Sequence, residues 1–189
     1  MSLKYAILGF LSYQSMSGYE LKKAFDQSVQ HFWPANQSQI YRTLAKMTDE
    51  GLVIQEVIER EDRLDMKIYH LTEQGREDLH QWLSSPLPVT DFREPFLIQL
   101  FFGGQLSDAE LLSVLKAKIE ALEAEKADYL TRYEAFREGA GESQDRRSYF
   151  LSILTMEFGI NSGLAELDWL KSVVRRIEAG DYDLKDFDL

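Results

Sequence analysis

Cysteine is absent from this 189-residue chain, and proline occurs four times. Without cysteine there is no disulfide staple, no thiolate zinc site and no cysteine nucleophile. Long apolar runs are missing too, since none approaches the roughly 20 residues that a membrane helix needs. The opening stretch MSLKYAILGF has one lysine and no small-residue cleavage site, so nothing marks a secretory signal. Positive charge is in short supply, with 21 Lys and Arg against 32 Asp and Glu and a formal net charge of −11. That balance disfavours non-specific adhesion to polyanions, which needs clustered cations. These absences predict a soluble cytoplasmic protein without membrane contact. The 44% of hydrophobic residues is enough for a packed core, and the length suits one domain or two small ones.

The charge is unevenly spread. Residues 1–50 hold five basic groups (Lys4, Lys22, Lys23, Arg42, Lys46) against four acidic ones, a balance of +1. The stretch 51–85 stands at −4 and 86–189 at −8, so the first fifty residues are the part compatible with a polyanion. Ser84-Ser85-Pro86-Leu87-Pro88 marks a boundary, because prolines at alternate positions block helix and favour an extended linker. The reading is a domain over 1–85, a linker over 86–92 and a second domain over 93–189.

The first domain reads as three short helices, a hairpin and a closing helix. Leu3, Ile7, Phe10 and Leu11 have the spacing of one helical face. Ser17-Gly18-Tyr19-Glu20 is a capping box opening a helix that carries Tyr19, Leu21, Phe25 and Val29. Asn36 and Gln39 form a looser cap for a third helix, ended by Gly51. Leu52 to Ile58 and Met66 to Leu71 are rich in Val, Ile and Tyr and read as strands joined by a charged turn. Thr72 then opens a helix with Leu79, Trp82 and Leu83 on one face. The fold class is mainly α with a small β-hairpin, as a winged helix-turn-helix followed by a long-helix dimerisation domain.

The third helix has the pattern of a DNA reader. With 3.6 residues per turn, Leu44 and Met47 fall within about 40° of Ile40, while Ser38, Arg42 and Lys46 fall at least about 120° away. Gln39 and Tyr41 flank that outer face. Arginine forks onto guanine, Ser and Gln bond base edges, and Lys suits phosphate. Ser38, Gln39 and Arg42 are therefore candidate base contacts, with Tyr41, Lys46, Lys22 and Lys23 near phosphates and Arg63 at the centre of the wing tip. The plainer alternative is that Arg42 and Lys46 simply solvate an exposed face.

The second domain reads as helical throughout. Ser107-Asp108-Ala109-Glu110 is another capping box. Beyond it, Leu112, Leu115, Ile119, Leu122, Lys126, Tyr129, Tyr133 and Phe136 keep the 3-4 spacing of a coiled-coil seam. Lys126 there is either a register device or a lysine snorkelling at the seam edge. A last helix from about Asp145 to Glu178, carrying Leu164 and Trp169, has a stripe too broad for one partner. The seam, with Leu164 and Trp169, is the candidate dimer contact. Phe92, Phe96, Phe101 and Phe102 read as core; the sharper alternative makes Phe92 and Phe96, with Trp33, walls of an effector pocket at the domain junction.

Catalytic and cofactor chemistry finds no support. His31, His70 and His80 lack the i, i+4 spacing by which two imidazoles share a metal. There is no glycine-rich phosphate loop and no nucleophile elbow. No metal, cofactor or enzymatic role is expected.

Several motifs together resemble the PadR family of bacterial transcriptional regulators. They are Gly18-Tyr19-Glu20-Leu21, Ser38-Gln39-Ile40-Tyr41 with Thr43-Leu44, Glu50-Gly51-Leu52-Val53, and Tyr69-His70-Leu71-Thr72 with Gly75-Arg76 and Leu79. Further on, Arg93-Glu94-Pro95-Phe96, Leu100-Phe101-Phe102-Gly103, Met156-Glu157-Phe158-Gly159 and Trp169-Leu170 are similar to the larger PadR subgroup. The resemblance implies a homodimeric winged-helix repressor on palindromic double-stranded operators, dimerised by its C-terminal helices. In some members it also implies release by small aromatic or phenolic ligands. Arg42 stands where the family often has proline, and the turn from Glu61 to Met66 lacks the family's glycines. The net acidity leaves one rival reading, a protein-interaction module with an acidic helical arm and no DNA role.

Overall fold

The structure, a computed structural model, describes residues 2–59, 65–89, 92–139 and 145–183. Its contacts divide the chain into two compact units, Met1–Thr90 and Asp91–Leu189.

The first unit runs α1 (Ser2–Tyr13), β1 (Met16–Ser17), α2 (Gly18–Gln27), α3 (Gln37–Asp49), β2 (Val53–Ile58), β3 (Met66–Leu71) and α4 (Glu73–Ser84). A single 3-10 turn, Val29–His31, follows α2. Val29 therefore sits beyond the helix that its spacing assigned it to, because α2 stops when the Ser28 N–H turns back to the Phe25 carbonyl. Both predicted caps are present: Ser17 and Glu20 exchange hydrogen bonds at the start of α2, and Asn36 and Gln39 do so at the start of α3. Gly51 ends α3 with φ +73, a left-handed conformation that costs glycine little.

The hairpin is part of a three-stranded antiparallel sheet in the order β1-β3-β2. Met16 pairs with Tyr69 and Ser17 with Ile68. A two-residue strand has no periodicity to announce it, so the sequence reading missed β1. Ile7, Leu8, Leu21, Phe25, Ile40, Leu44 and Met47 form the core beneath the sheet. On α4, Leu79 joins that core and Trp82 stacks on Tyr5 at 4.4 Å, whereas Leu83 is exposed. The predicted face of α4 is thus narrower than its apolar spacing, because α4 meets α1 along a single edge.

The second unit contains α5 (Pro95–Phe101), α6 (Asp108–Gly139) and α7 (Arg146–Glu178). The long helices run antiparallel: Lys116 reaches Glu178 at 2.6 Å, Lys171 reaches Glu123 at 2.6 Å, and Tyr129 lies against Gly159. The first half of the predicted seam packs within the chain. Leu115 is fully buried with Phe96, Leu170 and Val174, and Leu112, Ile119 and Leu122 pack on the same cluster. Leu115 is thereby closed to a partner's helix, while Leu112, Ile119 and Leu122 are only partly covered. A 3-4 stripe asks for an apolar neighbour, and α7 of the same chain supplies it first. Tyr129, Tyr133 and Leu164 are half-buried, and the Phe136 side chain lies outside the description. Of the phenylalanines read as core, Phe96 is buried, while Phe92, Phe101 and Phe102 are exposed. The helix α5 is only seven residues long and offers one face to α6 and α7.

On α7 the side away from α6 stays apolar. Phe150, Leu151, Leu154, Phe158 and Trp169 all expose much of their surface, Phe158 as much as 72%. On a helical wheel they lie roughly opposite the buried Met156, Leu167, Leu170 and Val174.

Candidate nucleic-acid interface

Helix α3 takes its place because Ile40, Leu44 and Met47 are wholly buried against α1 and α2. Its first turn is held by the Asn36 side chain, which accepts the Gln39 N–H at 2.9 Å, while the Gln39 carbonyl accepts the Asn36 N–H at 2.9 Å. Gln39 therefore spends its side-chain carbonyl on the cap and keeps its NH₂ group to donate. On the other flank the Tyr41 ring covers Gly18 so closely that a Cβ there would lie 2.5 Å from Tyr41 Cε1. The first residue of α2 is thereby matched to α3. Tyr69, buried in the central strand, has its hydroxyl pKa pushed up by desolvation and, secondarily, by Tyr41.

Ser38, Arg42 and Lys46 are exposed along one outer face, with Tyr41 at its edge. Lys46 leans toward Glu50 at 3.6 Å. Arg42 has no ion-pair partner among the described residues. On α2, Lys22 is engaged by Asp26 one turn on, and Lys23 is exposed. Arg63 lies outside the described residues, so the wing tip contributes nothing to this picture. The described wing instead carries exposed Ile54, Val57 and Ile58 on β2. His70 ties the sheet together, with Ser15 Oγ 2.7 Å from Nδ1 and Glu56 Oε2 2.8 Å from Nε2.

One feature escaped the sequence reading. Packing of α1 on α3 creates a groove of about 680 Å³ with Leu3 and Lys4 on one wall and Arg42, Lys46 and Glu50 on the other. Lys4 is drawn to Asp78 at 2.6 Å; burial opposes its charge, but Asp78 and Tyr5 together hold its ammonium above the usual lysine range. No local pattern pairs residue 4 with residue 42, so sequence spacing alone could not reveal the groove.

The residues named for an effector pocket are divided between the units. Trp33 belongs to the first and is partly exposed; Phe92 and Phe96 belong to the second, where Phe96 lies under Lys118 Nζ at 5.5 Å. Within the second unit, a cavity of about 430 Å³ is lined by Leu100, Trp169, Val173, Ile177 and Tyr182, with Arg176 and Asp181 as its charged members. Tyr182 reaches it because Gly180 turns the chain at φ +64 and its hydroxyl bonds the Asp108 carboxylate, which raises its pKa. Neither a group of three or more potential metal ligands nor a membrane-length apolar helix occurs among the described residues.

Comparison with known proteins gives this architecture a lineage. Residues 7–81 match the model of the transcriptional regulator PadR-like family, and residues 92–178 match that of the virulence activator alpha C-term. The negative transcriptional regulator PadR of Bacillus subtilis is 31% identical over 178 residues, covering 93% of this chain and 97% of that protein. The crystal structure of B. subtilis PadR in complex with operator DNA superposes with a TM-score of 0.83 at 29% identity, covering 94% of this chain and 99% of that one. The complex of B. subtilis PadR with p-coumaric acid gives 0.78 at 29% identity, covering 93% and 95%. These relatives are transcriptional regulators, not enzymes. By fold, by sequence and by coverage of both units, the chain belongs to the PadR-like family of transcriptional regulators.

Proposed function

We propose that this regulator is a homodimeric repressor that reads a palindromic operator through α3 and releases it when a small aromatic acid binds. The observation that carries the reading is the outer face of α3, where Ser38, Arg42 and Lys46 stand exposed above a rigid Ile40-Leu44-Met47 footing. Arg42 is the sequence-reading residue: its guanidinium, with no ion-pair partner among the described residues, can fork onto a guanine edge. Ser38 and the donor end of Gln39 meet base edges, and Lys46, Tyr41 and Lys23 meet phosphates. The operator complex of the B. subtilis relative supports DNA as the partner, and its name supports negative control.

The second chain docks on the outer face of α7. An apolar strip of Phe150, Leu151, Leu154, Phe158 and Trp169 is a wide surface to leave in water. A two-fold axis through it would pair the strip with itself and set two α3 helices on half-sites about one helical turn, or a multiple, apart.

The effector enters the 430 Å³ cavity of the second unit. Trp169 and Tyr182 form aromatic walls, Arg176 and Asp181 supply one cation and one carboxylate at the edge, and the p-coumaric acid complex of the relative supports an aromatic ligand class. In this reading the effector sits among Leu100, Trp169 and Val173, whereas sequence alone suggested Trp33, Phe92 and Phe96.

Fluorescence anisotropy at near-physiological salt, with labelled duplex from upstream of the protein's own gene, tests the reading. Saturable binding competed by unlabelled duplex but not by scrambled sequence is expected, and p-coumarate should reverse it. Equal competition by scrambled DNA would overturn it in favour of a protein-interaction module.

A further inference from the structure

We infer that the groove between α1 and α3 is a second ligand site, for an anion with a short apolar tail, whose occupation competes with DNA directly. This rests on the reading of α3 as the DNA helix, and it is separate from the aromatic cavity of the second unit. The groove's volume of about 680 Å³ lies in the range of small-molecule sites. Its apolar lining comes from half-buried Leu3, with the wholly buried Met47 directly beneath, and its rim carries Lys4, Arg42 and Lys46 against one carboxylate, Glu50. In a chain of net charge −11 such a rim is an exception.

The pairing within the rim selects the anchor. Asp78 neutralises Lys4 at 2.6 Å, and Glu50 partly neutralises Lys46 at 3.6 Å. Arg42 has no carboxylate paired with it among the described residues, and its planar fork suits a carboxylate or phosphate head. An anion on Arg42 with its tail on Leu3, above the buried Met47, would occupy the guanidinium that the operator needs. Such a ligand would displace DNA by occlusion, with no conformational change required.

The test uses the full chain and hexyl phosphate as probe, with inorganic phosphate and hexanol as the two half-ligands. Methyl NMR of Met47 and Leu3, without DNA, should show saturable shifts with hexyl phosphate. Binding should be at least about ten-fold tighter than for either half, since two buried methylenes already give that factor. Arg42→Gln should abolish it, and Thr43→Leu, which fills the groove wall, should weaken it while leaving operator affinity within about two-fold. Hexyl phosphate should raise the apparent operator Kd linearly. Equal affinity for inorganic phosphate, silent Met47 methyls, or simultaneous binding of probe and operator would each overturn the inference. Methyl shifts in a chain that binds no operator would sink the DNA reading of α3 and the competition, and leave the ligand site standing.

Discussion

Gly75 is the position where a single methyl group should do most damage, and the size of the effect follows from the geometry. Gly75 lies in the first turn of α4, and a Cβ there would sit 2.2 Å from the Leu52 carbonyl oxygen and 2.8 Å from Leu71 Cδ1. A comfortable carbon–oxygen contact is about 3.3 Å, so backbone must move by roughly 1 Å. The Leu52 oxygen accepts the Thr72 N–H at 3.2 Å and the Thr72 hydroxyl at 3.0 Å, and both bonds stretch or break with that shift. Two hydrogen bonds at about 1 kcal/mol each, with overpacking of about 1–3 kcal/mol, oppose a helix-propensity gain of under about 1 kcal/mol. Gly75→Ala should therefore lose about 3 kcal/mol. For a unit of this size that is a fall in melting temperature of roughly 12–24 °C. Gly9→Ala, with nothing within 4 Å of its Cβ inside α1, is the internal control and should stabilise by about 0.5–1 kcal/mol. Calorimetry of both variants decides the matter. A Gly75→Ala protein melting within 2 °C of wild type, on the order of half a kcal/mol, would refute the close approach of Gly75 to the Leu52 carbonyl.

Three further outcomes are expected. Arg42→Ala should weaken specific operator binding by about 1–3 kcal/mol, whereas Lys46→Ala should chiefly lower the salt dependence, by about one in the log–log slope; anisotropy titrations from low to high salt separate the two. Phe158→Glu places a charge in the centre of the α7 strip and should shift sedimentation from dimer to monomer while the circular dichroism is unchanged, because that ring is 72% exposed in the single chain. Lowering the pH should fray the first turns of α6 and α7. Hydrogen bonds from Ser107 hold Glu110, and those from Ser148 hold Asp145, below the usual carboxylate range. A carboxylate with a depressed folded pKa lends support that is complete above the unfolded value of about 4 and fades as pH falls through the folded one. The Ser107 and Ser148 amide resonances should report those two midpoints; midpoints at or above 4 would contradict the caps.

Local chemistry announced itself clearly in this chain. The capping boxes at Ser17–Glu20, Asn36–Gln39 and Ser107–Glu110 involve residues three apart, so their geometry is written into spacing. The buried face of α3 is equally legible, because Ile40, Leu44 and Met47 recur at the helical period and the opposite face is polar. Features that depend on two distant segments were less legible. Met16 and Ser17 become a strand only because β3 offers them an edge. Phe101 and Phe102 look like core by composition, yet α5 is short enough that only one of its faces finds a neighbour.

Amino-acid order alone thus determined the winged helix-turn-helix, its caps and the outward stance of Arg42, since each follows from contacts within a few residues or from one helical period. Tertiary structure decided the rest: which apolar stripe is consumed inside the chain and which is left over, and which cations keep a partner. The coiled-coil spacing on α6 is the same whether the facing helix belongs to its own chain or to another. Only the fold-back of α7 reveals that Leu115 is already covered and that Phe158, on the far side, is not.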